Sequence, residues 1–421
     1  SCRNQRGRGA ELAMLEAQIT TGKILMLEPR RFAARAAAER MAATLGEDVG
    51  RTVGYRVRGA SAISKATRIE VVTEGILTRM MQDAPDLPGV GAVIFDEFHE
   101  RSLNADLGLA LCLEVAEALR DDLLMVAMSA TLDAGPVAAL MDAPIVTSEG
   151  RSFDVRPVWL DRPLGKKRLE QATADLVLKA LSEAEGSALV FLPGEGEIRR
   201  VEGLLRNQLP GDCTLAPLFG AMDFKAQRAA IAPVTSGRKV VLATSIAETS
   251  LTIEGITIVV DAGRARRARF DAASGMSRLV TEKVTRAEAT QRAGRAGRIS
   301  AGVAYKLWTR GEEGALAAYP PAEIEAGDLT GFALELAQWG AKIDDLCFVT
   351  PPHEGRYAEA KAVLHMLDAL DVGGRITAHG RALLKLPLHP RLAHMVQRGG
   401  PRAATLAALL AERDPMRGAG V

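Results

Sequence analysis

The sequence predicts an α/β protein with two tandem parallel-sheet domains, followed by a smaller, mostly helical segment. Short apolar, β-branched runs are each followed by a polar or glycine-containing turn and then by a helical pattern, which is typical of βαβ units. These runs form two sets, separated by a stretch in which the apolar periodicity lapses. The length of 421 residues gives room for two to three domains of roughly 150 residues each.

The first set contains four predicted strands, at residues 24–27, 69–72, 92–95 and 123–128. The second set contains three, at residues 188–192, 240–243 and 256–260. The proline-containing, charged stretch 149–171 predicts a domain boundary, and the strand signal fades after about residue 308. The predicted domains therefore span residues 1–150, 151–310 and 311–421.

Composition excludes several classes of protein. Hydrophobic residues make up 48% and charged residues 25% of the chain, which excludes disorder, collagen and coiled coil as descriptions of the whole. The 53 Lys and Arg almost cancel the 52 Asp and Glu, so any anion site must be local. The four cysteines lie far apart without a CxxC pair, so we expect neither a disulfide framework nor a zinc site, and a reducing cytoplasm.

The sequence also predicts no membrane association. No apolar stretch approaches the roughly 18 residues of a membrane helix, and the first residues lack the apolar segment of a signal peptide. The chain does not begin with Met, which suggests a fragment.

Asp96, Glu97 and His99 follow the apolar run that ends at Phe95, so two carboxylates and an imidazole lie at a strand end. Nucleotide hydrolysis uses such a pair: one carboxylate holds Mg²⁺ and the second polarises the attacking water. An acidic turn that caps a helix is an equal alternative. A metal-dependent hydrolase is weaker, because no HExxH pattern is present.

Gln291, Arg295 and Arg298 have the spacing i, i+4, i+7, so on a helix they share one face. The two guanidiniums suit phosphate oxygens and charge that develops on a transferred phosphoryl group. Gly294 and Gly297 lie three residues apart and would permit close backbone approach. A solvated basic helix is the alternative, although such a helix has no need of two glycines.

These segments occur in the order and spacing of the superfamily 2 DExH/DEAH-box helicases, which the sequence resembles from about residue 24 to 395. Phe98 and the segment GYRVRG at residues 54–59 indicate a bacterial subgroup. The matching segments are Glu28-Pro29-Arg30-Arg31 (motif Ia), Thr73-Glu74-Gly75 (Ib), residues 96–99 (II), Ser129-Ala130-Thr131 (III), 189–193 (IV), 243–255 (V) and 291–298 (VI).

The resemblance implies two RecA-like domains that bind ATP and Mg²⁺ in the cleft between them. Asp96 would organise Mg²⁺ through water, Glu97 would act as the general base, and His99 would link the nucleotide site to motif III. Gln291, Arg295 and Arg298 would reach the γ-phosphate from the second domain. Ser129 and Thr131 would couple hydrolysis to movement, and Glu254 would be an acidic contact of motif V to the nucleotide.

The resemblance also implies a nucleic-acid track whose phosphates contact Arg30, Arg58, Thr73 and Thr244. Each of these residues could instead be an ordinary helix N-terminus or surface group. The expected partner is single-stranded or partly duplex RNA, with DNA possible, and protein partners stay open. The basic run 264–269 would belong to a β-hairpin that could separate strands, or to a solvated loop. Residues 311–421 would form a winged-helix-like segment and the start of a helical ratchet domain.

One family feature is absent from the printed sequence: the phosphate-binding loop GxxxxGK followed by Ser or Thr. We therefore expect the first strand and its loop to be missing, the C-terminal part to be truncated, and hydrolysis by this chain to be impaired. The leading hypothesis is an ATP-dependent nucleic-acid helicase recorded as a partial chain. The alternative is a non-catalytic nucleic-acid-binding remnant.

Overall fold

A computed structural model of the chain describes residues 9–130, 134–147, 153–248, 253–271 and 275–411. In these ranges the chain forms two six-stranded sheets, a two-stranded hairpin and a helical C-terminal region. This architecture confirms the predicted fold class. None of the described helices combines the length and apolar character needed to cross a membrane.

The first sheet has the strand order β3-β2-β4-β1-β5-β6, and only its β2–β3 pair is antiparallel. All six residues of β5 are buried, as expected for a central parallel strand covered on both faces. The strands are Lys23–Glu28 (β1), Val53–Val57 (β2), Ala60–Ala62 (β3), Ile69–Thr73 (β4), Val90–Phe95 (β5) and Leu124–Ala127 (β6). The helices are Ala10–Glu16 (α1), Arg31–Thr44 (α2), Glu74–Asp83 (α3), Leu103–Ala118 (α4) and Ala134–Leu140 (α5), with a 3₁₀ turn at Phe98–Glu100.

The second sheet is parallel throughout, in the order β7-β14-β11-β8-β10-β9, and an antiparallel hairpin of β12 and β13 follows β11. The strands are Val155–Val158 (β7), Ser187–Phe191 (β8), Cys213–Leu218 (β9), Arg238–Ala243 (β10), Ile256–Asp261 (β11), Arg264–Asp271 (β12), Met276–Lys283 (β13) and Gly302–Lys306 (β14). The helices are Leu169–Glu183 (α6), Glu195–Leu205 (α7), Phe224–Ile231 (α8) and Arg286–Gly294 (α9), with 3₁₀ turns at Ser245–Ala247 and Arg295–Gly297.

Every predicted strand is present, as β1, β4, β5, β6, β8, β10 and β11. The basic run 264–269 lies in strand β12, so the predicted hairpin is confirmed and the solvated-loop alternative is wrong. The sequence did not reveal β2, β3, β7, β9 or β14. Strand β7 pairs with β14 and thus belongs to the second sheet, although it lies in the stretch chosen as the boundary.

The C-terminal region packs on the first sheet. One core cluster joins Val93 and Leu111 of the first domain to Phe332, Leu364 and Ala393 of the C-terminal region. The helices are Arg310–Gly314 (α10), Glu323–Ala326 (α11), Thr330–Trp339 (α12), Glu354–Met366 (α13), Ala378–Leu384 (α14) and Pro390–Ala411 (α15, kinked at Gly400), with a 3₁₀ turn at Ile343–Asp345. An isolated antiparallel bridge joins Leu370 to Ile376, between α13 and α14.

The two sheet domains also contact each other directly through α2 and α8. The Phe32 ring lies 5.3 Å from that of Phe224, and the Arg35 guanidinium lies 3.8 Å from the Phe224 ring centre. Arg228 of α8 pairs with Glu39 of α2. The two domains therefore face each other across a narrow cleft.

Candidate functional site

The first side of the cleft is built from the carboxyl ends of the first sheet. Thr73 ends β4 and pairs in register with Glu28, which ends β1. Asp96 follows β5, and its backbone N–H donates to the Leu27 carbonyl (3.1 Å). Arg58 follows β2. Parallel strands bring these ends to one edge, where open α/β sheets bind their ligands.

Asp96 and Glu97 form a carboxylate pair at this edge. Asp96 Oδ1 accepts from the Glu97 backbone N–H (2.8 Å). Burial, and then the neighbouring Glu97 charge, raise the pKa of Asp96 to about 6. A carboxyl group with a raised pKa carries negative charge that its protein neighbours do not fully compensate, so this pair favours a bound cation.

Glu97 has a left-handed backbone, with φ 50° and ψ 33°. Such a conformation costs a non-glycine residue free energy and is concentrated at functional sites. It ends the strand sharply and begins the 3₁₀ turn, in which Phe98 and His99 are buried. The turn directs His99 toward the second domain.

The second side of the cleft is carried by α9 and the turn after it. Helix α9 is capped by Thr285, whose Oγ1 accepts from the Glu288 N–H (3.3 Å), while Glu288 accepts from the Thr285 N–H (2.7 Å). This reciprocal pair is a capping box. The helix carries Gln291 and ends at Gly294.

Arg295 lies in a 3₁₀ turn that continues α9, and Arg298 follows it, so the α-helix expected to carry all three side chains ends before Arg295. A Cβ on Gly297 would lie 2.5 Å from the Phe153 carbonyl oxygen, whereas one on Gly294 would meet nothing within 4 Å. The close approach expected of both glycines is thus made by Gly297, and the helix tightens where that approach occurs.

The two sides meet at His99 and Gln291. Gln291 Nε2 lies 3.3 Å from His99 Nε2, and His99 Nδ1 lies 3.4 Å from Glu97 Oε2. The Gln291 amide nitrogen can donate to His99 Nε2, whereas the buried His99 Nδ1 makes no hydrogen bond within the part of the chain that the structure describes. Desolvation lowers the pKa of Arg295 and Arg298, and the nearby Glu97 carboxylate opposes that shift. The structure thus brings predicted residues of both domains together.

The remaining predicted coupling and nucleotide residues are Ser129, Thr131 and Glu254. Ser129 is exposed beyond the end of β6, and Thr131 lies outside the described residues. Glu254 is exposed in the turn that leads into β11. These three roles stay predictions.

Of the four residues predicted to contact nucleic acid, Arg30 makes a hydrogen bond across the cleft. Its guanidinium donates to the Ser245 carbonyl and to both oxygens of Glu100 (3.0 and 3.1 Å). Thr244, next to Ser245, and Thr73 are half-buried at strand ends, and Arg58 is exposed.

Arg30 and Ser245 line a cavity of about 440 Å³. Arg266 of the hairpin, Gln291 of α9 and Glu323 of α11 complete its wall. The cavity therefore lies between both sheet domains, the hairpin and the C-terminal region. Arg58 is not among the residues that line it.

Sequence reasoning assigned no individual role to four buried charged residues at this site: Glu28, Glu248, Asp261 and Arg292. Glu28 helps hold Asp96 through a hydrogen bond that lowers the Asp96 pKa. The strand-end rule, applied to every strand, would have found Glu28 and Asp261, because each is the last residue of a parallel strand. The role of Glu248 and Arg292 depends on a pairing that only the folded chain reveals.

The donor set at β5 fits Mg²⁺. Within the described ranges no three His, Cys, Asp or Glu side chains converge on a common ion position. Mg²⁺ does not need such a cage, because proteins commonly hold it by one or two carboxylates, with waters and substrate phosphates as the other ligands. Asp96, with its raised pKa, is the carboxylate suited to that role.

Comparison with known proteins agrees with this geometry. Residues 170–300 match the family described as helicase conserved C-terminal domain. Together with the relatives below, this match shows that the chain belongs to the DExH/DEAH-box helicases.

Within that family the chain is similar to HrpB. It is 48% identical over 404 residues to the ATP-dependent RNA helicase HrpB of Escherichia coli strain K12, covering 94% of this chain and 50% of the relative. The crystal structure of the E. coli DEAH/RHA helicase HrpB superposes with a TM-score of 0.91 at 46% identity, covering 98% of this chain and 53% of that one. A second crystal structure, of the E. coli DExH-box NTPase HrpB, gives a TM-score of 0.84 at 46% identity, with 96% and 51% covered. The chain thus spans about half the length of these relatives.

Proposed function

We propose that this chain is the motor part of an ATP-dependent RNA helicase, in which nucleotide hydrolysis drives movement along a strand and unwinding of duplexes. The observation that carries the proposal is the meeting of His99 and Gln291 across the cleft, beside Glu97 and the two arginines that follow α9. Nucleotide hydrolases of this kind assemble their catalytic groups from two domains when the cleft closes. The similarity to a protein named ATP-dependent RNA helicase supports the same function.

In this proposal each of the two sheet domains contributes residues that act on the nucleotide. Asp96 would hold Mg²⁺ through water, and the metal would supply charge neutralisation at the phosphates of ATP. Glu97 orients the attacking water and accepts its proton, and His99 with Gln291 keeps Glu97 aligned to the second domain. Arg295 and Arg298 stabilise the negative charge that develops on the γ-phosphoryl group. Ser129 and Thr131 couple the sites, and Glu254 contacts the nucleotide.

The strand lies across Arg30, Arg58, Thr73 and Thr244, which contact its phosphates and therefore read no sequence. A phosphate at Arg30 would compete with Glu100 for the same guanidinium. The hairpin arginines 267 and 269 are paired with Glu282, so the hairpin is less basic than its sequence suggests. Its role in strand separation would thus depend on shape more than on charge.

We further propose that the predicted domains, at residues 1–150, 151–310 and 311–421, are the two RecA-like units and a winged-helix-like region with the start of a ratchet domain. The single bridge between α13 and α14 and the three helices around it support the winged-helix assignment. Widely spaced, unpaired cysteines such as Cys112 and Cys213 suit a reducing cytoplasm.

The test is Mg²⁺-dependent ATP hydrolysis by the 421-residue chain, with and without single-stranded RNA. We expect slow turnover, because the printed sequence has no GxxxxGK motif, and we expect RNA to stimulate it and Glu97→Gln to reduce it about 10²- to 10⁴-fold, the range of a lost general base. Exposed Glu359 on α13 provides the control, because no residue of this helix lines the cavity and Glu359→Gln should leave the rate unchanged.

Binding of the same RNA is measured in parallel, because the printed sequence has no GxxxxGK motif. RNA binding without turnover would support the non-catalytic alternative. If single-stranded DNA stimulated ATP hydrolysis as strongly as RNA does, the RNA preference would be removed from the proposal. The absence of both binding and turnover would overturn the proposed function for this chain.

A further inference from the structure

A fully buried arginine lies behind the candidate catalytic side chains. Arg292 is next to Gln291 on α9 but points into the second sheet, where 1% of its surface is exposed. Its guanidinium lies 5.0 Å from the ring centre of Phe191, the last residue of β8. It therefore contacts neither the cleft nor solvent.

The guanidinium joins three separate segments of the second domain. Nε donates to Glu248 Oε2 (3.0 Å), in the loop after β10. Nη1 donates to Asp261 Oδ1 (3.0 Å), at the end of β11, and to the backbone carbonyl of Arg264 (3.2 Å), the first residue of the hairpin. One side chain thus ties the base of the hairpin to the loop after β10.

The same loop holds Arg295. Its guanidinium donates to the backbone carbonyl of Glu248 through Nε (2.9 Å) and also through Nη2. Glu248 therefore has two functions in the contact network: its side chain is fixed by Arg292, and its carbonyl fixes Arg295. A continuous chain of contacts runs from Arg264 through Arg292 and Glu248 to Arg295.

The hairpin has a second connection to α9. Arg267 of β12 pairs with Glu288, in the first turn of that helix. Glu288 also completes the cap of the helix at Thr285. A displacement of β12 would therefore act on both ends of α9.

A buried ion network contributes little net stability relative to apolar packing, because its charges lose their hydration. What it provides is fixed geometry, since the planar guanidinium donates in set directions. Burial opposes the charge of Arg292, but Glu248 and Asp261 outweigh that effect and raise the pKa of the guanidinium. Arg292 is therefore a permanently charged, rigid connector.

We propose that Arg292 and Glu248 are positioning residues, which hold Arg295 at the nucleotide side of the cleft and link its position to the base of the β12–β13 hairpin. The inference rests on the proposed function and deepens it. Binding of a strand that shifts the hairpin would be transmitted through Arg264, Arg292 and Glu248 to Arg295, so the network provides a route by which RNA stimulates hydrolysis.

The first test is the kinetics of Arg292→Lys, which keeps the charge but loses the planar fork. We expect kcat with RNA to fall about 100-fold, as for a catalytic group displaced by about 1 Å, with KM for ATP nearly unchanged. The double variant Arg292→Lys/Arg295→Lys should be no slower than Arg295→Lys alone, because residues that act as a unit are not additive. The proposal would be overturned if Arg292→Lys reduced the turnover with RNA and the turnover without RNA by the same factor. It would also be overturned if the losses in the double variant were additive.

The matched control is Arg238→Lys. Arg238 also belongs to the second domain, is half-buried, and donates to three backbone carbonyls, those of Leu181, Ala184 and Gly186. It lies at the start of β10, the edge opposite the cleft. If Arg238→Lys reduced the stimulation of hydrolysis by RNA as much as Arg292→Lys does, the loss in Arg292→Lys would be merely structural.

A second test does not depend on turnover. Backbone hydrogen exchange is compared in the wild-type chain, Arg292→Lys and Glu248→Gln, which keeps the backbone carbonyl that holds Arg295. We expect faster exchange at the hairpin base and at residues 295–298 together, with β8 and β10 unchanged. Faster exchange in one segment alone, or throughout the second sheet, would overturn the proposal. If wild-type turnover is absent, the proposed function fails for this chain, while exchange still decides the positioning role.

Discussion

Asp96 carries a charge that its protein neighbours do not fully compensate, and this charge destabilises the folded state. Its folded pKa, about 6, lies above the ordinary value of 3.8 because of burial and of Glu97. An acid with a raised folded pKa destabilises the fold when it ionises. The effect is absent when the group is protonated in both states, grows as pH rises from about 4 to 6, and is complete above that range. The charge that suits a cation thus costs stability.

We therefore predict that Asp96→Asn stabilises the chain by about 1–2 kcal/mol at pH 7.5 in the absence of Mg²⁺ and nucleotide, while it removes hydrolysis. The asparagine oxygen can still accept from the Glu97 N–H, so the local hydrogen bond is kept. Chemical unfolding between pH 4.5 and 7.5 measures the effect, and the gain should increase with pH. Exposed Asp161 supplies the control variant Asp161→Asn, and a pH-independent gain at Asp96 would contradict the prediction.

At the scale of single elements, the end of α9 depends on one of its two glycines. Gly297→Ala would place a Cβ 2.5 Å from the Phe153 oxygen and 2.7 Å from Val155 Cγ2, so we predict a loss of about 1–3 kcal/mol. Gly294 has helical angles (φ −57°, ψ −19°) and open space around it. Gly294→Ala should therefore stabilise the chain by about 0.5–1 kcal/mol.

Thermal and chemical unfolding of these two variants measures the difference, and hydrolysis should fall only for Gly297→Ala because the adjacent Arg298 is displaced. The pair changes the same residue type by the same group, three positions apart in one motif. Equal effects on stability would show that the contact with Phe153 does not shape this turn.

The sequence predicted the strands that are continuous apolar runs, and it missed three edge strands, β3, β7 and β9, together with the interior strands β2 and β14. Strands β5, β8 and β10 are continuous apolar runs that end at polar turns, so their pattern is complete in the sequence. Strands β7 and β9 are the edge strands of the second sheet, and each contains a proline, which interior strands exclude. Likewise, Asp96, Glu97 and His99 stand out as neighbours at a strand end, whereas Glu248 and Arg292 are 44 residues apart and meet only when the second sheet forms.

For the whole molecule, the core clusters do not follow the order of the chain. The C-terminal region follows the second domain in sequence, yet its Phe332 and Leu364 share one core with Val93 and Leu111 of the first domain. Core residues of the second domain such as Leu205 and Val240 belong to a separate cluster. Gln82 of the first domain donates a hydrogen bond to an α12 side chain, and Glu114 accepts one from another α12 side chain. These bonds add polar contacts to the shared core. The first domain and the C-terminal region should therefore behave as one body, against which the second domain moves.

This arrangement predicts which parts of the chain unfold together. Leu364 and Leu205 are both fully buried, so either Leu→Ala change should cost about 2–5 kcal/mol. Leu364→Ala should increase subglobal hydrogen exchange in α12 and α13 and also in β1 and β5, which are more than 200 residues away in sequence, while β8 and β10 keep their protection. Leu205→Ala should do the reverse. If Leu364→Ala left β1 and β5 protected, the C-terminal region would be an independent body, and closure of the cleft would not have to carry it along with the first domain.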